Sequence, residues 1–122
     1  MKTVVLQIEL SWENPQENRA QLNQKIAAIT ETVDLIVLPE MFTSGFTMNP
    51  KAVAETMEGL TIALLKQLAH TKDCAITGSL VIEEGGKYYN RLVFVHPNGA
   101  TESFKDDNAI VNDKPIGRGH YK

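Results

Sequence analysis

Residues 34–40 read Asp34-Leu35-Ile36-Val37-Leu38-Pro39-Glu40 (DLIVLPE), and the fold class turns on this stretch. The apolar run Leu35 to Leu38 is too short for a core helix and predicts a strand over Asp34 to Leu38, buried on both faces as in α/β sheets. Pro39 ends the strand because it cannot donate to a ladder and its ring fixes the direction of exit. Glu40 therefore emerges at the carboxyl end of the strand, where open α/β sheets place their ligands.

Working outward, Thr3 to Leu10 (TVVLQIEL) reads as another strand, its mostly apolar character pointing to burial on both faces. Asn14 and Pro15 then mark a helix start: the asparagine can accept an orphan N–H of the first turn, and proline suits the first helical position. Leu22, Ile26 and Ile29 give that helix a narrow apolar stripe for packing on a sheet, and Trp12 is expected to pack where the helix begins. After a loop with Gly45 and Pro50, Leu60, Leu64 and Leu68 stand four apart and predict a second amphipathic helix. Cys74 to Ile82 and Lys87 to Val95 flank Glu83 to Gly86, an antiparallel hairpin with a glycine turn. His96-Pro97-Asn98-Gly99 is a further tight turn, leading to a fifth strand at Ala100 to Phe104. The predicted class is α/β, a mixed sheet with its two helices on one face. The hairpin argues against a flavodoxin-like nucleotide fold, which needs crossover helices between parallel strands.

Beyond Lys105 the pattern stops, and residues 106–122 read as an irregular tail behind a domain spanning 1–105. A chain of 122 residues with net charge -3 has no basic excess for nucleic acid or an anionic membrane surface, and no window suits a transmembrane helix. One cysteine and no signal-like apolar segment point to a cytoplasmic chain acting on small molecules or proteins.

Glu40 is the leading candidate for chemistry. Apolar Met41 and Phe42 beside it are expected to desolvate the carboxyl and raise its pKa, as a general base requires. By position alone it serves equally well as a loop cap that accepts backbone N–H groups. Thr43 and Ser44 have no histidine arranged for a serine triad, and His70, His96 and His120 lack ligand spacing, so no metal or other cofactor is expected. Gly85-Gly86-Lys87 is a hairpin turn rather than a phosphate loop, and Cys74 is a packing residue.

Asp34 to Phe46 (DLIVLPEMFTSGF), Gly78 to Ile82 (GSLVI) and Tyr88 to Gly99 (YYNRLVFVHPNG) together, in this order, resemble the carbon-nitrogen hydrolase (nitrilase) superfamily, in its ω-amidase-like branch. The resemblance implies a four-layer αββα sandwich, of which about the first half is present, and a homo-oligomer. It also implies hydrolysis of a small-molecule amide through a thioester by a Glu-Lys-Cys triad. On this reading Glu40 is the general base and Asn90 a substrate-binding residue. The family's lysine stabilises the oxyanion from a Tyr-Asp-Lys-Arg-His-Leu-Phe-like motif. Here Phe104-Lys105-Asp106 places Lys105 one residue early, a slip that turns it from Glu40 unless a bulge intervenes, and Lys114 lies too far downstream.

The family's nucleophilic cysteine has no counterpart in this chain, because Cys74 matches no catalytic position. The expectation is a truncated or frame-shifted polypeptide, inactive alone, whose open sheet face promotes self-association. The alternative is a non-catalytic α/β module that binds a ligand or partner.

Overall fold

The computed structural model describes residues 1–47, 49–105 and 110, with the backbone alone at Lys105. A three-residue strand, β1 (Thr3–Val5), precedes helix α1 (Pro15–Ala27) and strand β2 (Leu35–Val37). A short helix α2 (Pro50–Val53) and a longer α3 (Leu60–Lys72) follow. Strands β3 (Ala75–Glu84), β4 (Lys87–Val95) and β5 (Thr101–Lys105) complete the regular structure of the described residues. The expected tail at 106–122, with Lys114 and His120, lies outside the described residues apart from Ile110.

The strands form one five-stranded mixed sheet in the order β1-β2-β3-β4-β5. β1, β2 and β3 run parallel, and β4 and β5 add antiparallel. Helical crossovers join the parallel strands, as parallel pairing requires. Gly85 and Gly86, both with positive φ (61° and 79°), close the β3–β4 hairpin, a backbone shape that residues with a Cβ adopt at a cost.

Asn14 accepts the N–H of Glu17 with its side chain and Pro15 opens α1, as expected. Leu22 and Ile26 of α1 pack with Ile62, Leu65, Leu68 and Ala69 of α3. This layer covers Ile36 of β2, Ile76, Leu80 and Ile82 of β3, and Val93 and Val95 of β4. Lys72 ties the two helices at their far ends, its Nζ donating to Ile29 O at 2.8 Å.

Three expectations need correction. β1 is shorter than Thr3 to Leu10 and is not buried on both faces: it pairs with a β2 of only three residues, and Val5 is 67% exposed. The inward stripe of α3 is Thr61, Ile62, Leu65, Leu68 and Ala69, while Leu60 is exposed at the first position of the helix. Trp12 is 65% exposed and braces a loop instead of being packed in at the start of the helix, its Nε1–H donating to Phe46 O at 2.8 Å.

Strand parity divides the sheet into two faces. The face away from α1 and α3 carries Val5, Val37, Thr77, Ser79, Asn90, Leu92, Phe94 and Phe104. Val81 on that face is covered by Met41 and by Val53 of α2, whereas Leu92 and Phe104, paired across β4 and β5, are exposed.

Candidate functional site

β3 is much longer than its neighbour β2, and the chain leaving β2 supplies the missing ladder partners. Leu38 N–H donates to Thr77 O at 2.8 Å, Phe42 N–H to Ser79 O at 3.0 Å, and Glu55 N–H to Val81 O at 3.2 Å. Glu83 N–H returns a bond to Glu55 O at 2.8 Å. The segment after Pro39 is thus laid along the middle of β3, and Glu40 sits in a tight turn there. Met41 adopts φ 53°, and its carbonyl accepts from both Ser44 and Gly45. The Ser79 hydroxyl accepts the Met41 N–H at 2.9 Å.

Met41, Phe42, Thr43 and Ser44 are all buried, but Glu40 itself is exposed. The expected desolvation of its carboxyl by Met41 and Phe42 is therefore absent among the described residues, because both side chains turn away into the two cores. Nor does Glu40 act as the loop cap that its position also allowed. The turn's amides bond to Ser79 and to Met41 O, and no hydrogen bond to the Glu40 carboxylate is found among the described residues.

Asn90 lies opposite Val81 in the ladder and is buried, with Oδ1 unpaired among the described residues. Thr43 Oγ1 is likewise buried and unpaired. In β5, Lys105 pairs with Arg91, and Phe104 pairs with Leu92. Position 105 thus has the parity of Arg91, not of Asn90.

Cys74 precedes β3 at the amino ends of the parallel strands, while Glu40 lies beyond the carboxyl end of β2. About five residues of strand, on the order of 16 Å, separate the cysteine from Ser79 beneath the Glu40 turn. The thiol is buried, and burial pushes its pKa up, helped by the negative charge of Asp73. Among the described residues no group of three His, Cys, Asp or Glu side chains could hold a metal ion, and no helix is long and apolar enough to cross a membrane.

Two polar positions carry more structure than their sequence context announced. Asn18 occupies the inward face of α1, four residues before Leu22, and bonds both Ser11 and Thr43 O. A polar residue in the apolar stripe is the signal that could have marked it. Glu55 accepts the Thr61 N–H at the start of α3 at 2.8 Å, takes the Thr61 hydroxyl as well, and pairs with Arg19 of α1 at 3.1 Å. No periodicity foretells that arrangement.

The carbon-nitrogen hydrolase family pattern matches residues 2–120, past the point at which the motif likeness stops. An ω-amidase YafV of Yersinia enterocolitica is 35% identical over 101 residues, covering 81% of this chain and 38% of the relative. The ω-amidase YafV of Escherichia coli K12 is 30% identical over 104 residues, covering 85% and 40%. Among solved structures, a CN-hydrolase superfamily protein of Xanthomonas campestris, holding an arsenic adduct in its active site, superimposes with TM-score 0.81 at 31% identity. That match covers 87% of this chain and 40% of the other. The chain thus spans about 40% of the length of the relatives it matches. With a mixed sheet, crossover helices and a Pro-Glu turn in the expected order, this polypeptide belongs to the carbon-nitrogen hydrolase family.

Proposed function

We propose that this chain supplies the general base of an ω-amidase-like hydrolase, Glu40, which takes the proton of a nucleophile attacking a small amide. The observation that carries the reading is the Glu40 turn. A carboxylate with no hydrogen bond among the described residues stands beyond the carboxyl end of β2, on a backbone held from β3 by Ser79. Cys74 is a poor nucleophile by burial, by its raised pKa and by its place at the other end of the strands, so the attacking thiol is assigned to polypeptide outside these 122 residues. The resemblance assigns the oxyanion role to Lys105, although β5 pairs without a bulge as far as that residue.

The same reading takes the enzyme as a cytoplasmic homo-oligomer. The apolar side chains of Leu92 and Phe104 on the open sheet face favour association. The test is hydrolysis of ω-amides of short dicarboxylic acids by this chain joined to the polypeptide that carries the nucleophile. Turnover abolished by Glu40→Gln supports the hydrolase, and turnover unaffected by it rejects Glu40 as the base. Absence of turnover with retained binding of the amide favours a non-catalytic binding module.

A further inference from the structure

Asn18 is 1% exposed, and its amide joins two loops. Oδ1 accepts the Ser11 N–H at 2.7 Å, and Nδ2 donates to Ser11 O at 2.8 Å and to Thr43 O at 2.7 Å. Both Nδ2 hydrogens are committed, one to the loop before α1 and one to the turn that follows Glu40. Three further contacts join the same loops. Glu13 N–H donates to Ser44 O at 2.7 Å, Trp12 Nε1–H donates to Phe46 O, and the Thr47 hydroxyl donates to the Glu13 carboxylate. Trp12 and Glu13 sit in or near solvent, whereas the Asn18 to Thr43 bond is buried.

We propose that Asn18 is a positioning residue for Glu40. Ser79 holds the turn from the sheet at Met41, and Asn18 holds it from α1 at Thr43, so the turn that begins at Glu40 is tied by two buried anchors two residues apart. A polar side chain in an apolar stripe is tolerated only when its hydrogen bonds are satisfied, so the whole amide is needed at this position. The proposal rests on the reading of Glu40 as the general base.

Asn18→Asp tests it, because the replacement is isosteric and titratable. One oxygen still accepts from Ser11 N–H, but the other faces two carbonyl oxygens. It repels them when ionised and donates to one of them when protonated. The charged residues of the joined segments, 9–19 and 40–47, are Glu9, Glu13, Glu17, Arg19 and Glu40, four of them acidic and so favouring the protonated form.

The readout is amide hydrogen exchange in the full chain, expressed as protection factors at pH 7.5 and pH 4.5, with the side-chain carboxyl 13C resonance of Glu40. At pH 7.5 the Phe42 and Gly45 amides should lose at least about tenfold protection while the β3–β4 amides stay within about threefold, and the Glu40 resonance should shift. At pH 4.5 the turn should recover to within about threefold of wild type. Turn protection unchanged at pH 7.5, loss spread evenly over the chain, or loss independent of pH would each overturn the proposal. If Asn18→Asp does not fold at pH 7.5, Asn18→Ser, too short to reach both loops, should give the same local loss at either pH, and even loss there overturns it too. Exchange reads the turn and not turnover, so a fully active Glu40→Gln enzyme rejects the catalytic reading separately.

Discussion

Ser79 holds the two amides that follow Glu40: its hydroxyl accepts Met41 N–H at 2.9 Å and its carbonyl accepts Phe42 N–H at 3.0 Å. Met41 needs that support, because its φ of 53° is a left-handed conformation that costs a residue with a Cβ about 1–2 kcal/mol. Ser79→Ala leaves the buried Met41 N–H without its partner, and an unpaired buried donor costs about 1–3 kcal/mol. Urea unfolding should show a loss in that range. A loss below about 0.5 kcal/mol, the scale of an ordinary surface substitution, would mean that the hydroxyl does not hold the turn.

Gly78 gives the same turn its depth. A Cβ there would lie 2.8 Å from Leu38 Cβ and 3.1 Å from Phe42 Cδ1. Leu38 Cβ is fixed to the main chain, so the exit of β2 has to move, whereas a rotamer change could relieve the Phe42 contact. Gly78→Ala is expected to destabilise by about 1–3 kcal/mol, as overpacked cores do. It should also displace the Glu40 turn, visible as chemical-shift changes at residues 38–45. A variant as stable as wild type with unshifted resonances there would contradict the close approach.

The features legible in the sequence are those fixed by local covalent constraint. Pro39 ends β2 because it has no N–H, Asn14 and Pro15 set the start of α1, and Gly85-Gly86 turn the hairpin. Each acts through its own backbone, so no tertiary information is needed. What escaped depends on contacts distant in sequence. Leu60 looks inward by spacing, yet α3 is rotated so that Thr61 meets Glu55, six residues earlier. The alternation from Leu6 to Ile8 continues a strand by pattern, but β2 is too short to extend the pairing beyond the Leu6 N–H to Val37 O bond at 2.9 Å, and both side chains pack partly buried against the core. The sequence neighbours of Glu40 imply desolvation, whereas Met41 and Phe42 turn into the two cores and leave Glu40 exposed. The likeness of motifs was sufficient to place the family because Glu40, Ser79 and Asn90 belong to segments that the topology aligns side by side.

Glu55 supplies the start of α3 with a cap that its own preceding residue, Gly59, cannot provide. One carboxylate oxygen takes Thr61 N–H at 2.8 Å and the other holds Arg19 at 3.1 Å, with both side chains mostly buried. Glu55→Gln keeps an oxygen for Thr61 but gives up the charge on Arg19, and should cost about 1 kcal/mol. Glu55→Ala loses the cap and strands the guanidinium, and should cost about 2–4 kcal/mol. Thermal unfolding of both variants checks the order. Equal losses would show that the ion pair, not the cap, carries the stabilisation. A Glu55→Ala loss below 1 kcal/mol would show that neither does.

Cys74 gives the fold a pH dependence whose sign can be derived. Burial and the neighbouring Asp73 raise its folded pKa, so in the unfolded chain the thiol ionises first, at its ordinary value near ~8.5. Above that value the unfolded state binds fewer protons than the fold, so stability falls as pH rises toward the folded pKa. Below it, both states carry the thiol and the slope vanishes. The slope cannot exceed about 1.4 kcal/mol per pH unit for one group. Cys74→Ala removes the titration while leaving a small cavity, so the variant should be less stable than wild type at pH 7, with the gap narrowing between about pH 8.5 and 9.5. Denaturant unfolding across that range decides the matter: two curves that stay parallel would mean that the thiol ionises alike in both states and is not held in an apolar site.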